Sequence, residues 1–311
     1  GGISTPVFYL KINREAPYTL ECIQMWLDIA AQMGADYYII CDNKWLEHKV
    51  LKTCLFEDRN IKFIPSYGRS LRQTADRLYT GNWRFATHAH LTPFYHAKKM
   101  GYQSFWSVDA DDTSFLMEYE RTSQALIQVE QYVKEKGVSA MSLDMWFSRT
   151  HGKHWSFGVT FINDNVGFID IFQNTVSKEW MKHYQEMETA FNLDWFFTYL
   201  KDFEDIKIET FYIERCWFIH WGNSLINPFY SWVNYWENGK IHYPILEGIY
   251  HNKEAGCLDI ADAVRIDVRA TKDEGMRILE NRICKSRYFQ SQQRRLFQNQ
   301  DFASDKGYLR F

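Results

Sequence analysis

The residues best suited to chemistry in this sequence are three carboxylates in the stretch Asp-Ala-Asp-Asp at 109–112. They follow the apolar run 102–108 without an intervening turn residue, which predicts that they lie where a buried strand ends. Asp109 and Asp111, spaced i and i+2, can reach one point where a strand turns, and they offer the oxygen ligands that Mg²⁺ or Mn²⁺ prefers. The ion and a substrate diphosphate would compensate the repulsion between these like charges.

The elements before the carboxylates favour such a site over an acidic turn that caps the next helix, which is a common place for Asp. Short apolar runs alternate with amphipathic helical patterns, which is typical of βαβ units and predicts an α/β fold with a mixed, mainly parallel sheet flanked by helices. Ligands of such sheets bind outside the carboxyl ends of the strands. The predicted strands are 6–12, 35–42, 60–66, 102–108, 138–145, 157–163 and 206–213, and the predicted helices are 17–33, 45–54, 83–100, 118–136, 178–190 and 193–203.

The acidic stretch and the residues before it resemble the nucleotide-sugar-dependent glycosyltransferases of the GT-A fold, and the inverting family 2 in particular. The spelling at 109–112 is similar to the DxD motif of these enzymes. Residues 6–27 resemble their first strand, the following loop and the first helix, and 37–43 resemble the second strand with its acidic end. The similarity thus covers roughly the first third of the chain.

The resemblance implies how the donor and its metal would be held. Asn13 and Glu15 would line the nucleoside pocket, and Asp42 would hydrogen-bond the base. Asp109 would lie near the ribose and the metal, while Asp111 would coordinate the Mn²⁺ or Mg²⁺ that bridges the diphosphate. An ordinary loop or turn role remains the alternative for each of these residues.

One residue after the third predicted strand could also contact the donor. Arg69 could counter the diphosphate, because a guanidinium group matches phosphate geometry. The alternative is an exposed arginine on the surface.

Two further residues carry the remaining chemistry. Asp194 heads the apolar stretch 191–200, where the resemblance implies a general base towards the acceptor hydroxyl, although Leu193 replaces the usual Glu. His220 ends the apolar run 211–220, and several GT-A families return a histidine to the metal from such a place. The alternatives are a helix cap for Asp194 and a core histidine for His220.

The acceptor surface is predicted from aromatic residues, which make up 17% of the chain. An aromatic face packs well against the C–H groups of a sugar, so Trp146 and Trp155 in the stretch 144–155 are the candidates. The alternative is that these rings belong to an aromatic core.

Composition limits the partners and the organisation. A net charge of −3 gives no reason to expect nucleic acid as the main partner. The expected organisation is a GT-A domain at 1–255, with a nucleotide-binding half at 1–112 and an acceptor half at 113–255, followed by a basic helical extension at 256–311. Within that extension, 276–297 holds six basic residues and one acidic residue, which suits either a solvated helix face or a surface helix that docks on anionic lipid or on a partner.

The predicted function is metal-dependent transfer of a sugar from a nucleoside diphosphate sugar, most simply a UDP-sugar, to a hydroxyl of a glycan or glycolipid. Inversion at the anomeric carbon is expected, with retention as the alternative, and surface polysaccharide or lipopolysaccharide synthesis is the expected setting. The six cysteines are widely spaced, which is typical of reduced thiols and a cytoplasmic protein. A peripheral position at the inner face of the membrane is the alternative that the basic stretch 276–297 suggests. A sugar-phosphate nucleotidyltransferase and a non-catalytic carbohydrate-binding module are the other hypotheses.

Overall fold

The structure of the protein is a computed structural model. It describes residues 5–12, 19–54, 62–66, 84–110, 113–115, 119–143, 155, 157–175, 193, 197, 200, 206–213, 217–222, 230–237, 240–248 and 309–310.

The first part of the chain contains the alternating strands and helices that the sequence predicts. The helix α1 shows why: Ile23, Leu27 and Ala30 recur on one face and are buried, and Gly34 ends the helix with a φ of 64° that only glycine adopts without strain. The elements are β1 (Val7–Lys11), α1 (Thr19–Gln32), β2 (Asp36–Ile40), α2 (Lys44–Thr53), β3 (Lys62–Ile64), α3 (Arg84–Met100) and β4 (Phe105–Asp109).

The second part contains the predicted helix 118–136 and the predicted strands near 138–145, 157–163 and 206–213, together with elements that the sequence analysis missed. The missed elements are β5, α5 with the π-helical turn that continues it, and the strands β9 to β12. The bounds are β5 (Thr113–Phe115), α4 (Tyr119–Lys136), β6 (Ala140–Leu143), β7 (Val159–Ile162), α5 (Asn165–Asp170), the π-helical turn (Ile171–Thr175), β8 (Ile208–Tyr212), β9 (Trp217–Gly222), β10 (Tyr230–Glu237), β11 (Lys240–Gly248) and β12 (Leu309–Arg310).

The central element of the fold is an eight-stranded sheet in the order β12-β8-β6-β7-β4-β1-β2-β3. Each pairing in it is parallel except the two made by β7, which runs antiparallel to β4 and to β6. The expected α/β fold with a mixed, mainly parallel sheet is therefore present. β1 and β4 lie side by side at the centre, where the chain order of the strands reverses, and ligands of open α/β sheets bind at such points.

The two faces of this sheet are buried by different helices. Side chains alternate along β1, so Phe8 and Leu10 pack with α1, α2 and α4, whereas Val7 and Tyr9 pack with α3 and α5. β4 follows the same rule, with Trp106 on the first face and Phe105 on the second. Any residue at an odd position near the end of β1 or β4 is consequently directed towards α3.

A second, four-stranded sheet in the order β11-β10-β9-β5 begins directly after the carboxylates. All of its pairings are antiparallel, and β5 contributes only Thr113–Phe115 to its edge. The sequence analysis missed β5 because three residues carry no recognisable period and its partner, β9, lies far along the chain.

The C-terminal expectations mostly fall outside the described residues. The boundary at 255, the helix at 178–190 and the basic stretch 276–297 all do so, and they stay predictions. Leu309 and Arg310 form the short strand β12, which pairs in parallel with β8 at the edge of the main sheet. Within the described part of the chain, none of the helices combines the length and apolarity needed to cross a bilayer.

A buried histidine makes the stability of this fold depend on pH. The Nδ1 of His96 in α3 is hydrogen-bonded to the Tyr9 hydroxyl, with an O···N distance of 2.8 Å. Burial lowers the pKa of His96, and the charges of Lys99 and Lys62 lower it further. The unfolded chain therefore binds a proton at a pH where the folded protein does not.

We expect this difference to reduce stability as the pH falls below about 6.5, the ordinary pKa of histidine, and to have no effect above it. The variant His96→Asn keeps an acceptor at the Nδ1 position but cannot be protonated. Between about pH 7.5 and about pH 5.5 it should lose less stability than the wild type, by up to about 1 kcal/mol. Urea unfolding of both proteins at the two pH values checks this, and an equal loss in both would contradict it.

Candidate functional site

The candidate site lies where β1 and β4 end side by side at the carboxyl edge of the main sheet. In their parallel register Lys11 is the partner of Asp109. The two residues occupy odd positions, so both side chains are on the face covered by α3. Backbone hydrogen bonds fix the ends of the strands, since Ala110 N donates to Lys11 O at 2.9 Å and Asp109 N donates to Gly158 O at 2.8 Å.

Lys11 is fully buried, with 0% of its surface exposed, and its ammonium group is surrounded by acceptors. Lys11 Nζ lies 2.7 Å from His90 Nδ1, 3.1 Å from the carbonyl oxygen of Phe157 and 3.2 Å from Asp109 Oδ1. Two of these contacts are hydrogen bonds, to His90 and to Phe157, and the third is the ion pair with Asp109. A buried charge is tolerated only when it is paired and hydrogen-bonded in this way.

The helix α3 and the residues before β7 supply the other walls of this cluster. His90, Phe94 and Ala97 of α3 recur at helical spacing and are buried against the sheet. The His90 ring stacks on the Phe157 ring with centroids 5.0 Å apart and planes 28° apart, and Lys11 Nζ lies 5.3 Å from the centre of the Phe157 ring. We call Lys11, His90, Asp109 and Phe157 the lysine cluster.

The protonation states of the lysine cluster follow from burial and from the lysine charge. Burial lowers the pKa of His90 well below its ordinary value, and Lys11 lowers it further. His90 is therefore neutral and accepts the hydrogen bond from Lys11 at Nδ1, which places its own proton on Nε2. Burial raises the pKa of Asp109, while the charge and the hydrogen bond of Lys11 oppose that rise.

Asp42 follows β2 at the same edge of the sheet. It is exposed, and its Oδ1 accepts a hydrogen bond from the backbone N–H of Ser66 at 2.9 Å. This bond joins the end of β2 to the residues after β3. Asn43 then caps α2, because its Oδ1 accepts from the N–H groups of Trp45 and Leu46.

His220 is brought back to the acidic stretch by the second sheet. It lies in β9, and the antiparallel register makes it the partner of Thr113 in β5. Paired residues in antiparallel strands have Cα atoms about 4.5–5.5 Å apart. Thr113 comes two residues after Asp111 in the chain. The pairing of β5 with β9 therefore brings together the two parts of the chain whose residues, Asp111 and His220, were predicted to bind one metal.

The donor groups at this edge of the sheet fit a divalent metal ion only in part. Carboxylate oxygens and an imidazole are ordinary ligands of Mn²⁺, and Asp111 and His220 are the residues that would hold it. Asp109 Oδ1 is engaged by Lys11 at 3.2 Å, which places a positive charge beside one oxygen of this proposed ligand. Within the described residues, no group of three or more His, Cys, Asp or Glu side chains is arranged to hold a metal ion.

Several predicted site residues lie outside the described residues: Asn13, Glu15, Arg69, Asp111, Trp146 and Asp194. Their roles stay predictions. Near Asp194, the described residues Leu193, Phe197 and Leu200 are helical and buried, which agrees with the predicted helix 193–203.

The expectation that Trp155 stacks on an acceptor sugar needs correction. Its side chain is 0% exposed and belongs to the core beneath α3, where its ring stacks on Phe197 with centroids 5.2 Å apart. It also makes an edge contact with Phe157. A ring enclosed in this way has no open face for a sugar. Trp155 instead packs against Phe157, which belongs to the lysine cluster.

The sequence analysis missed Lys11 and His90 as members of this site. One signal was present: Lys11 is a charged residue in the otherwise apolar run Val-Phe-Tyr-Leu-Lys-Ile at 7–12, where a buried strand was predicted. A lysine there needs a carboxylate partner, and Asp109 ends another predicted central strand. His90 gave no such signal, because His88 and His96 share its helix.

The sequence matches neither a protein-family model nor a curated protein.

The lysine cluster should be far more sensitive to mutation than an exposed ion pair of the same length. Lys11→Met removes the charge and leaves Asp109 buried without its cation, which typically costs about 3–5 kcal/mol. Lys44 and Glu47 in α2 provide the control, because their N···O distance is also 3.2 Å while the Lys44 side chain is 89% exposed. Lys44→Met should change stability by about 0.5 kcal/mol or less.

Urea unfolding of the three proteins checks this prediction. The double variant Lys11→Met/Asp109→Leu should recover much of the stability lost in Lys11→Met, because it leaves no unpaired charge buried. Similar losses for Lys11→Met and Lys44→Met would show that Lys11 is hydrated rather than enclosed.

Proposed function

We propose that the protein is a metal-dependent glycosyltransferase of the GT-A type. It transfers a sugar from a nucleoside diphosphate sugar, with a UDP-sugar as the simplest donor, to a hydroxyl of a glycan or glycolipid. The reaction inverts the anomeric carbon, and the setting is synthesis of a surface polysaccharide or lipopolysaccharide. The resemblance at 6–112 suggests this class, and the mixed, mainly parallel sheet is compatible with it.

One structural observation supports the proposal above the others: the pairing of β9 with β5. It makes His220 the partner of Thr113, and Asp111 precedes Thr113 by two residues, a span of at most about 7 Å along the chain. Asp111 and His220 were assigned to one metal on separate sequence features, one in each half of the predicted domain. A structural role for either residue alone gives no reason for them to approach each other.

The donor would lie across the carboxyl ends of β1, β2 and β4. Asp42, after β2, is exposed and already oriented by Ser66, which suits contact with the nucleotide base. Asp109 ends β4 beside Lys11 and would face the ribose. Asp42 and Asp109 are two strand spacings apart, because β1 lies between β2 and β4. At roughly 5 Å for each step, the distance across the sheet is about 10 Å, which is the scale of a nucleoside.

The chemistry divides between charge compensation and proton transfer. Bound Mn²⁺ or Mg²⁺ would supply positive charge at the diphosphate leaving group. Asp111 and His220 would orient that charge, and Asp194 would accept the proton of the acceptor hydroxyl as it attacks the sugar. Asp194 would thus act on the face of the sugar opposite the leaving nucleotide, which is the geometry of inversion.

The test compares two neighbouring carboxylates. Asp111→Asn should weaken Mn²⁺-dependent binding of UDP by about 100-fold or more, because loss of even an indirect metal partner commonly costs 10–100-fold. Asp112→Asn is the matched control, because it removes a charge one residue away from Asp111. We assign no ligand role to Asp112. Isothermal titration calorimetry with UDP, in the presence and absence of Mn²⁺, measures both effects.

Undiminished Mn²⁺-dependent binding in Asp111→Asn would contradict the metal assignment. Incubating the wild type with a panel of sugar nucleotides and Mn²⁺ then tests the reaction class, and slow hydrolysis of one donor supports a transferase. Release of pyrophosphate from a sugar phosphate and a nucleoside triphosphate would instead identify a nucleotidyltransferase.

A further inference from the structure

The lysine cluster is difficult to explain as a stabilising feature alone. Lys11 and Asp109 are both buried, with 0% and 7% of their surfaces exposed. Removing two charges from water is costly, and apolar residues of similar volume often leave a protein as stable as the ion pair they replace. The charges stand at the carboxyl ends of two central strands, where a ligand is expected.

The geometry of the cluster links Asp109 to the neighbouring elements through Lys11. The strand register sets Lys11 beside Asp109, and the backbone of Asp109 is bonded to Gly158 on its other side. Lys11 is held in turn by His90 Nδ1 at 2.7 Å and by the Phe157 carbonyl at 3.1 Å. The lysine therefore connects the carboxylate to α3 and to the residues before β7.

We propose that Lys11 and His90 are positioning residues for the nucleotide site: Lys11 fixes the carboxylate of Asp109 in one orientation before the donor binds, and His90 fixes Lys11. This inference rests on the proposed function and adds two residues to its site. Lys11 touches neither donor nor metal in this arrangement. Its ammonium group is hydrogen-bonded to His90 and to the Phe157 carbonyl and ion-paired with Asp109, so its effect on the donor is transmitted through Asp109.

Charge gives the cluster a second consequence for the same site. Asp109, Asp111 and Asp112 lie within four residues, and the donor brings a diphosphate of the same sign. Lys11 places a positive charge 3.2 Å from the first of these carboxylates. The charge of Lys11 thereby reduces the electrostatic repulsion that an incoming anion meets at this edge of the sheet.

A double-mutant cycle tests whether Lys11 acts through Asp109. The four proteins are the wild type, Lys11→Met, Asp109→Asn and the double variant, and the readout is the affinity for UDP with Mn²⁺ by calorimetry. Lys11→Met should weaken binding by about 10–100-fold, as the loss of an indirect partner does. In the Asp109→Asn background the same substitution should have an effect of less than about threefold, because residues acting in one network are not additive.

A second pair of variants tests His90. Asn and Leu have similar shapes, but Asn offers an acceptor at the position of His90 Nδ1 and Leu does not. His90→Asn should keep affinity within about threefold of the wild type, and His90→Leu should weaken it by about 10-fold. Urea unfolding and circular dichroism on every variant separate loss of the fold from loss of binding.

The outcomes distinguish a failure of the positioning role from a failure of the proposed function on which it rests. A wild type that binds UDP with Mn²⁺, together with a folded Lys11→Met of unchanged affinity, would overturn the positioning role alone. Equal effects of Lys11→Met in both backgrounds would also overturn it, because Lys11 would then contact the ligand directly. A wild type that binds neither Mn²⁺ nor UDP would refute the proposed function itself, and the positioning role with it.

Discussion

The structure of the candidate site depends on one buried ion pair, between Lys11 at the end of β1 and Asp109 at the end of β4. Their N···O distance of 3.2 Å follows from the parallel register of the two central strands and from the alternation of side chains along them. A lysine with no exposed surface requires acceptors on every side, and α3 and the residues before β7 supply them through His90 and Phe157. The aromatic packing around Phe157 and Trp155 lines one side of this cluster, in which Lys11 has no exposed surface and Asp109 keeps 7% of its surface exposed.

This pair also connects the architecture with the proposed chemistry. Asp109 is the last residue of β4, so the chain that leaves the ion pair runs directly into Asp111 and then into β5. The second sheet returns β9 to β5 and sets His220 opposite Thr113. Asp109 is thereby anchored in the main sheet, and Thr113 is anchored in the second sheet.

Local patterns in the sequence predicted the strands and helices of the first part of the chain, because apolar runs and helical periods are properties of neighbouring residues. The ion pair could not be predicted in the same way, since it needs the pairing of β1 with β4. The contact that holds Lys11 is equally distant in sequence, because Lys11 and His90 are 79 positions apart. Trp155 was assigned to the surface because composition does not distinguish a stacking ring from a core ring. The pairing of β5 with β9 joins Thr113 to His220, which lie about a third of the chain apart, so patterns of neighbouring residues do not reveal it, although Asp111 and His220 had both been chosen from the sequence.

We propose that the carboxyl edge of β1 and β4 binds a nucleoside diphosphate through a metal held by Asp111 and His220. A crystal structure of the protein with UDP and Mn²⁺, with data collected at the manganese absorption edge, tests this proposal most directly. We expect an anomalous peak bonded to the Asp111 carboxylate and the His220 imidazole, with the diphosphate on the ion and Lys11 still paired with Asp109. A manganese peak or a nucleotide bound away from this edge would contradict it.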